Sequence, residues 1–523
     1  MSNQIEDEEI ISSSTLANDN KKISVKKNYI FNLLYQLFLI VVPLITTPYV
    51  SRVLTANGVG QYSFSFSLAT YFTIFAGLGF GYYAQRAIAK QKDNKEELSI
   101  TFWEIIICRL FPVVIALSVN ILFCLLGIYR EYTPLMWVFN INIFAVSLDI
   151  SFLYQGKEEF GSLVIKNLLI KTTSVILIFV FVVSEKSLII YTIINASSVL
   201  LSNIFMWISI KKMLVKVKVH NLSPLRHMKG TIVLFLPTIA VSIYTVLDKT
   251  LIGLLITDTY EVLGEDGVYI TKNYSDLENG YYEQSEKIVK MAMVFITSIA
   301  SVMIPRNSNE LALGHIDTVR KNIYTSCRLV LLFGIPLMLG LIAVSDNLVP
   351  WFLGNEYEKS SFLIKLLSPL VIIIGFSNVF GLQFLIPAGK DRIFTIALTT
   401  GAAINLLLNI FFIKLWWSNG AAIATLVAEA VVTLITALAI RKEINFLKVL
   451  LSGWKYLISG IIMFVICLFI STYLSPSIVN TLLITLSGIL SYFIFLIIFQ
   501  DKLIIISIKK ITLKIKKKNQ INN

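Results

Sequence analysis

Charge is scarce in this chain: only 15% of its 523 residues are Asp, Glu, Lys or Arg, against about 25% in an ordinary soluble domain. A soluble surface cannot be built from so little, which excludes a soluble α/β enzyme, a coiled coil and a disordered chain. Cysteine is sparse too. Cys108, Cys124, Cys327 and Cys467 all lie within apolar runs, so neither a disulfide framework nor a thiolate metal cluster is expected. The three histidines, His220, His227 and His315, fall in short polar loops. No cofactor and no metal is implied. The first 27 residues run acidic and then basic without an apolar stretch, so no cleaved signal peptide is expected. The chain also lacks a GxxxxGK[ST] phosphate loop, which disfavours an ATP-driven pump.

What the chain does have is apolar length. Hydrophobic residues make up 56% and aromatic residues 12%, and the mean hydropathy is +0.76. About 20 apolar residues cross a bilayer core as a helix. Fourteen such runs are legible, near 28–50, 61–84, 101–126, 133–154, 162–183, 188–210, 230–255, 285–305, 322–345, 361–386, 392–412, 418–440, 456–474 and 478–500. They are continuous and long, unlike the alternating strands of a barrel. An all-α polytopic membrane protein with about fourteen transmembrane helices is expected.

Lys and Arg divide unevenly between alternate loops. Both termini and the loops after even-numbered runs hold 32 of them, and the other loops hold 6. By the positive-inside rule both termini are expected in the cytoplasm. The net charge of +13 is thus mostly a topology signal, and no nucleic-acid partner is expected. The tail bases Lys509, Lys510, Lys516, Lys517 and Lys518 are placed to meet anionic lipid headgroups. The longest outer loop, 256–284, carries seven acids against Lys272 alone. It is too short for a catalytic domain, so a secondary transporter is expected and an enzyme is not.

Several strings recur in order. Cys108-Arg109-Leu110 reappears as Cys327-Arg328-Leu329, each followed by a proline, Pro112 and Pro336. Arg86 answers to Arg306, Gly156-Lys157-Glu158 to Gly389-Lys390-Asp391, and Lys211-Lys212 to Arg441-Lys442. Four matches at offsets of 219–233 residues point to a duplicated six-helix unit in parallel orientation. The expected organisation is a cytoplasmic tail 1–27, an N-lobe 28–211, a cytoplasmic linker 212–229, a C-lobe 230–441, two further helices in 442–500, and a basic tail 501–523.

Charges within apolar runs are costly, roughly 2.5–3.5 kcal/mol at mid-membrane, and persist where they face a cavity, pair or snorkel. Lys287 and Lys290 share a helical face, each with a glutamate four residues before it, Glu283 and Glu286. They fit either a cationic cavity wall or a self-paired helix end. Lys249 stands beside Asp248, but adjacent helical residues point about 100° apart, so each is expected to find its partner elsewhere. Arg109 and Arg328 lie where snorkelling and substrate contact are both open. Glu429, among small residues near mid-membrane, is an ion-coupling candidate with Asp248 and Asp149.

Particular strings are also recognisable. Asn32-Leu33-Leu34-Tyr35-Gln36, Pro43-Leu44-Ile45-Thr46-Thr47-Pro48-Tyr49-Val50-Ser51-Arg52-Val53-Leu54, Gly58-Val59-Gly60 and Tyr62-Ser63 resemble the opening of Wzx-type polysaccharide flippases. So do Asp149-Ile150-Ser151, Tyr154-Gln155-Gly156, Leu247-Asp248-Lys249-Thr250 and Gly280-Tyr281-Tyr282-Glu283-Gln284 at later positions. These flippases belong to the multidrug/oligosaccharidyl-lipid/polysaccharide exporter superfamily. The resemblance covers about residues 28–500, with Phe152-Leu153 standing where Trp-Phe is usual. It implies a carrier in the bacterial cytoplasmic membrane that moves an undecaprenyl-pyrophosphate-linked oligosaccharide repeat unit to the outer leaflet by ion-coupled alternating access. It further implies H⁺ or Na⁺ as the coupling ion and a polysaccharide polymerase as partner. Under it, Arg52, Arg86, Lys249, Lys287, Lys290, Arg109 and Arg328 are candidates for the substrate's head group. The alternatives within the superfamily are a lipid-linked peptidoglycan precursor flippase and a multidrug or cation antiporter.

Overall fold

The computed structural model describes residues 2–157, 159–218, 220, 222–263, 269–501 and 503–505. Glu158 of the repeated Gly-Lys-acid string and the tail bases from Lys509 onward lie outside the described residues. Nearly everything described is helical, as long apolar runs demand: a backbone in lipid must satisfy its own hydrogen bonds. Among the described residues, nine helices are long and apolar enough to cross a membrane, or ten if the bent pair Asn355–Leu367 and Leu370–Leu385 forms one span.

Two of the long helices each cover more than one expected run. Ser2–Gly77 is interrupted at Thr55 (φ 61°, ψ 175°), and Asp391–Ala439 at Trp417 (φ 54°, ψ −129°). The second break reverses the chain. The side-chain amide of Asn405 donates to Thr425 Oγ1 at 3.2 Å, whereas twenty residues of straight helix would set them about 30 Å apart. Asp391–Ala439 is therefore an antiparallel helical hairpin turning at Trp417.

The chain divides into two compact units, Met1–Leu54 with Ser65–Ser242, and Thr55–Phe64 with Ile243–Asn523. In the first, the Lys95–Leu125 helix starts at Asn94, whose side chain accepts from the amides of Glu96 (3.1 Å) and Glu97 (3.3 Å). That is an N-cap with acids favourably placed in the first turn. This helix packs on Thr133–Leu148, which packs in turn on Leu188–Trp207. Buried Phe80, Phe102, Phe152, Tyr154 and Met206 form a core at one end.

In the second unit, the Tyr274–Ala312, Ile316–Phe352, Leu370–Phe380 and Trp454–Tyr473 helices surround a larger core that includes Val330, Ile364, Val371 and Tyr456. Segment 55–64 joins this unit through two glycines. A Cβ on Gly60 would stand 1.7 Å from the Asp276 carbonyl oxygen, and one on Gly280 would stand 2.0 Å from that of Ala56. Small residues on both sides let two backbones touch.

One feature departs from an all-helical reading. Thr259–Leu263 and Tyr269–Asn273 pair antiparallel, from Thr259 opposite Asn273 to Leu263 opposite Tyr269. Their Thr, Tyr, Val and Ile content suits strands, a signal masked in the sequence by the acids around it.

Candidate functional site

Segment 55–64 brings Ser63 alongside the Tyr274–Ala312 helix, where its hydroxyl donates to Glu283 Oε2 at 3.0 Å. Glu283 is one of two carboxylates bridged by Lys249. The Lys249 ammonium pairs with Glu283 and lies 3.0 Å from Glu286 Oε2. Glu286 also pairs with Lys290 at 2.6 Å, and Lys287 stands 4.0 Å from Glu283. Lys249 comes from the Met228–Leu255 helix and the other four from Tyr274–Ala312. The i,i+4 pairs expected from spacing are present, and Lys249 ties them across helices. Three ammonium groups face two carboxylates, so the cluster carries one excess positive charge. The least engaged of the three is Lys287, 4.0 Å from Glu283, whereas Lys290 is paired although its side chain is 55% exposed.

Asp248 faces away from this cluster. Only 7% exposed, its carboxylate accepts from Tyr282 OH at 2.5 Å, Thr425 Oγ1 at 2.5 Å and Asn409 Nδ2 at 2.7 Å. Asn409 and Asn405 extend the network along the inner face of the Trp417 hairpin. All three contacts are neutral donors, and among the described residues no base forms an ion pair with Asp248. A buried carboxyl held this way can take up a proton, or trade one donor for a small cation, without breaking a salt bridge.

The other candidates stand apart from these two networks. Arg109 is fully buried, with Nη1 donating to the carbonyls of Val146 (3.2 Å) and Asp149 (2.5 Å). Its guanidinium also lies over the rings of Phe80 and Phe152. It thus adds a side-chain donor where the chain leaves the Thr133–Leu148 helix. The Asp149 carboxylate accepts from the amide of Ser151 at 2.8 Å, starting the next helix. Arg328 donates to Tyr456 OH (3.1 Å) and to buried Asp501 (3.3 Å). Arg52 and Arg86 are exposed on the first unit, and Glu429 is half-buried on the second arm of the hairpin.

One buried cluster was not singled out by the sequence. Glu104, wholly inaccessible, accepts from the Ser223 amide (2.7 Å) and Arg226 Nε (2.8 Å), and contacts His227 Nε2 at 2.8 Å. His227 Nδ1 lies 2.8 Å from Tyr83 OH. His227 lies in the short connection as expected, but it is only 4% exposed and pins the end of the 212–229 connection to the first unit. The only sequence signal was an acid within an apolar run and a His-bearing loop with no local partner for either. The four cysteines are buried and unpaired.

A bilayer-spanning helical chain with this paired-charge site has known relatives. The family described as "Polysaccharide biosynthesis protein" matches residues 25–309, more than half of the sequence. The chain belongs to that family. A putative O-antigen transporter of Escherichia coli is 25% identical over 434 residues, covering 81% of this chain and 99% of that protein. Among solved structures, the lipid II flippase MurJ in an inward closed conformation superposes with a TM-score of 0.68 at 18% identity, covering 91% of this chain and all of the other. An inward-facing multidrug resistance MATE family transporter superposes with a TM-score of 0.56 at 13% identity, covering 78% and 99%. The Wzx-type resemblance read from the sequence and the superfamily fold therefore hold. The protein is a multi-pass membrane protein of the flippase type, involved in polysaccharide biosynthesis.

Proposed function

We propose that this protein carries an undecaprenyl-pyrophosphate-linked oligosaccharide repeat unit from the inner to the outer leaflet of the bacterial cytoplasmic membrane, with both termini cytoplasmic and transport coupled to H⁺ or Na⁺. Similarity to an O-antigen transporter and to a lipid II flippase supports a lipid-linked glycan as substrate. The observation that carries the reading is the Lys249 cluster, in which an excess cation lies on a helix face within apolar surroundings. A pyrophosphate supplies the matching negative charge, and ammonium groups bind it as flexible point charges.

In this reading Lys290 and Lys287 meet the head group, and Lys249 holds Glu283 and Glu286 in place so that the two are not attracted away. Asp248, in the adjoining network, takes the coupling ion. Its release would loosen Tyr282, which neighbours Glu283 in sequence, and so communicate with the charged cluster. Arg109 and Arg328 are left out of the substrate role because backbone carbonyls and Asp501 already engage them.

Binding tests this directly. A labelled undecaprenyl-pyrophosphate oligosaccharide should bind the purified protein about tenfold more weakly after the joint change Lys287→Gln and Lys290→Gln, as two removed charges near a phosphate predict. Unchanged binding by a folded variant would remove this cluster from the head-group role.

A further inference from the structure

The hairpin ending at Ala439 leads through a short connection into a seven-residue helix, Phe446–Ser452, before the membrane-length helix Trp454–Tyr473 begins. Between this connection and the Ile316–Phe352 helix lies a cavity of about 560 Å³, lined by Arg320, Tyr324, Arg441, Lys442 and Phe446 among others. It is separate from the Lys249 and Asp248 networks.

Its charges are unequally engaged. Arg320 is held by Glu443 (2.6 Å) and Asp317 (3.0 Å), which offset its charge and fix its position. Arg441 and Lys442 are exposed, and among the described residues neither forms an ion pair. Lys448 lies over the Tyr324 ring at 5.4 Å, while the Tyr324 hydroxyl accepts from the Asn445 amide at 2.8 Å. The wall is therefore aromatic and fixed, and the rim carries two uncommitted cations. The short helix adds a second element. Leu447 and Leu451, one turn apart on a shared face, are 65% and 63% exposed. Large apolar side chains exposed beside a basic cavity, between two bilayer-length helices, fit acyl chains next to an anionic head group.

We infer that this cavity binds the phosphate of an anionic membrane lipid, with Arg441 and Lys442 on the phosphate and Leu447 and Leu451 against the chains. A soluble anion would use the first pair and ignore the second. The site goes beyond the transport reading, and its test does not depend on translocation.

The experiment measures binding to the purified full-length protein of three probes, with phosphatidylcholine as the neutral control. The probes are phosphatidylglycerol, undecaprenyl pyrophosphate and inorganic pyrophosphate. The joint variant Arg441→Gln with Lys442→Gln should weaken binding of at least one anionic lipid about tenfold or more. Leu447→Ser with Leu451→Ser should weaken the same lipid several-fold and leave inorganic pyrophosphate unaffected. Removing a similar charge pair elsewhere, by Lys211→Gln with Lys212→Gln, should leave lipid binding as it was. Loss confined to undecaprenyl pyrophosphate identifies the site as one for the polyprenyl lipid, and equal loss for phosphatidylglycerol identifies a general anionic-lipid site. Lipid binding unchanged by the Arg441 and Lys442 variant in a protein with wild-type melting would overturn the inference. So would equal losses for lipid and inorganic pyrophosphate together with indifference to the leucine changes.

Discussion

Asp248 and Lys249 are neighbours in sequence but serve separate polar networks. Lys249 reaches Glu283 and Glu286, whereas Asp248 turns to Tyr282, Thr425 and Asn409. Helical geometry forces this division, since consecutive side chains leave the axis about 100° apart. Tyr282 and Glu283 repeat the arrangement on the facing helix, one belonging to each network. Two adjacent pairs thus carry a salt-bridged cluster and a neutral-donor carboxyl site side by side.

Changing Asp248 to Asn should separate stability from coupling. The side-chain oxygen of Asn still accepts from Tyr282 and Thr425, so the fold should melt close to wild type. Transport should continue without its response to an imposed ion gradient. Asp248→Leu should instead strand the Asn409 amide and two hydroxyls, each lost acceptor costing about 1–3 kcal/mol. Thermal melts and gradient-dependent transport of both variants check this.

Lys249→Met should destabilise by about 1–3 kcal/mol, because Glu283 and Glu286 lose the cation that bridges them and keep only Lys287 and Lys290. Adding Glu283→Gln should recover part of that loss, whereas adding a distant change such as Glu310→Gln should not. Denaturant unfolding of the single and double variants gives the coupling energy. Equal, additive losses would contradict a bridged cluster.

Two glycine substitutions should move stability in opposite directions. Gly60→Ala puts a methyl group 1.7 Å from the Asp276 carbonyl oxygen and should cost about 1–3 kcal/mol or more through backbone displacement. Gly340, inside the Ile316–Phe352 helix, has nothing within 4 Å of a built Cβ. Gly340→Ala should therefore stabilise by about 0.5–1 kcal/mol through helix propensity. Melting temperatures of the two proteins decide the signs.

Glu104→Ala should free the connection at Ser223–His227, since one carboxylate accepts from a backbone amide, Arg226 and the His227 side of the cluster. Tryptic cleavage at Lys216, Lys218 and Arg226 should accelerate several-fold, with little change on Glu96→Ala at the exposed start of the same helix. Cleavage at the wild-type rate would show that Glu104 does not hold this segment.

Much of this was legible in the sequence. Apolar length gave the membrane class, and the Glu283–Lys287 and Glu286–Lys290 spacing gave the paired face. The family strings around Asp248, Lys249 and Glu283 fell on the residues that the structure brings together. The runs 392–412 and 418–440 are separate in the sequence, and the reversal at Trp417 falls in the break between them. Arg109 and Arg328 occupy matching strings yet meet different partners, backbone carbonyls in one case and Asp501 in the other. Periodicity assigns a residue to a face but not to its partner on another helix. The Glu104–His227 contact spans more than a hundred residues, and no local pattern could reveal it.

The central claim is translocation of a lipid-linked glycan under an ion gradient. Its most direct test uses proteoliposomes loaded with a labelled undecaprenyl-pyrophosphate oligosaccharide, with H⁺ and Na⁺ gradients imposed in turn. The account predicts protein-dependent arrival in the opposite leaflet, accelerated by one of the two gradients and insensitive to it after Asp248→Asn. No movement of any glycan lipid, together with gradient-driven uptake of a cationic drug, would contradict it.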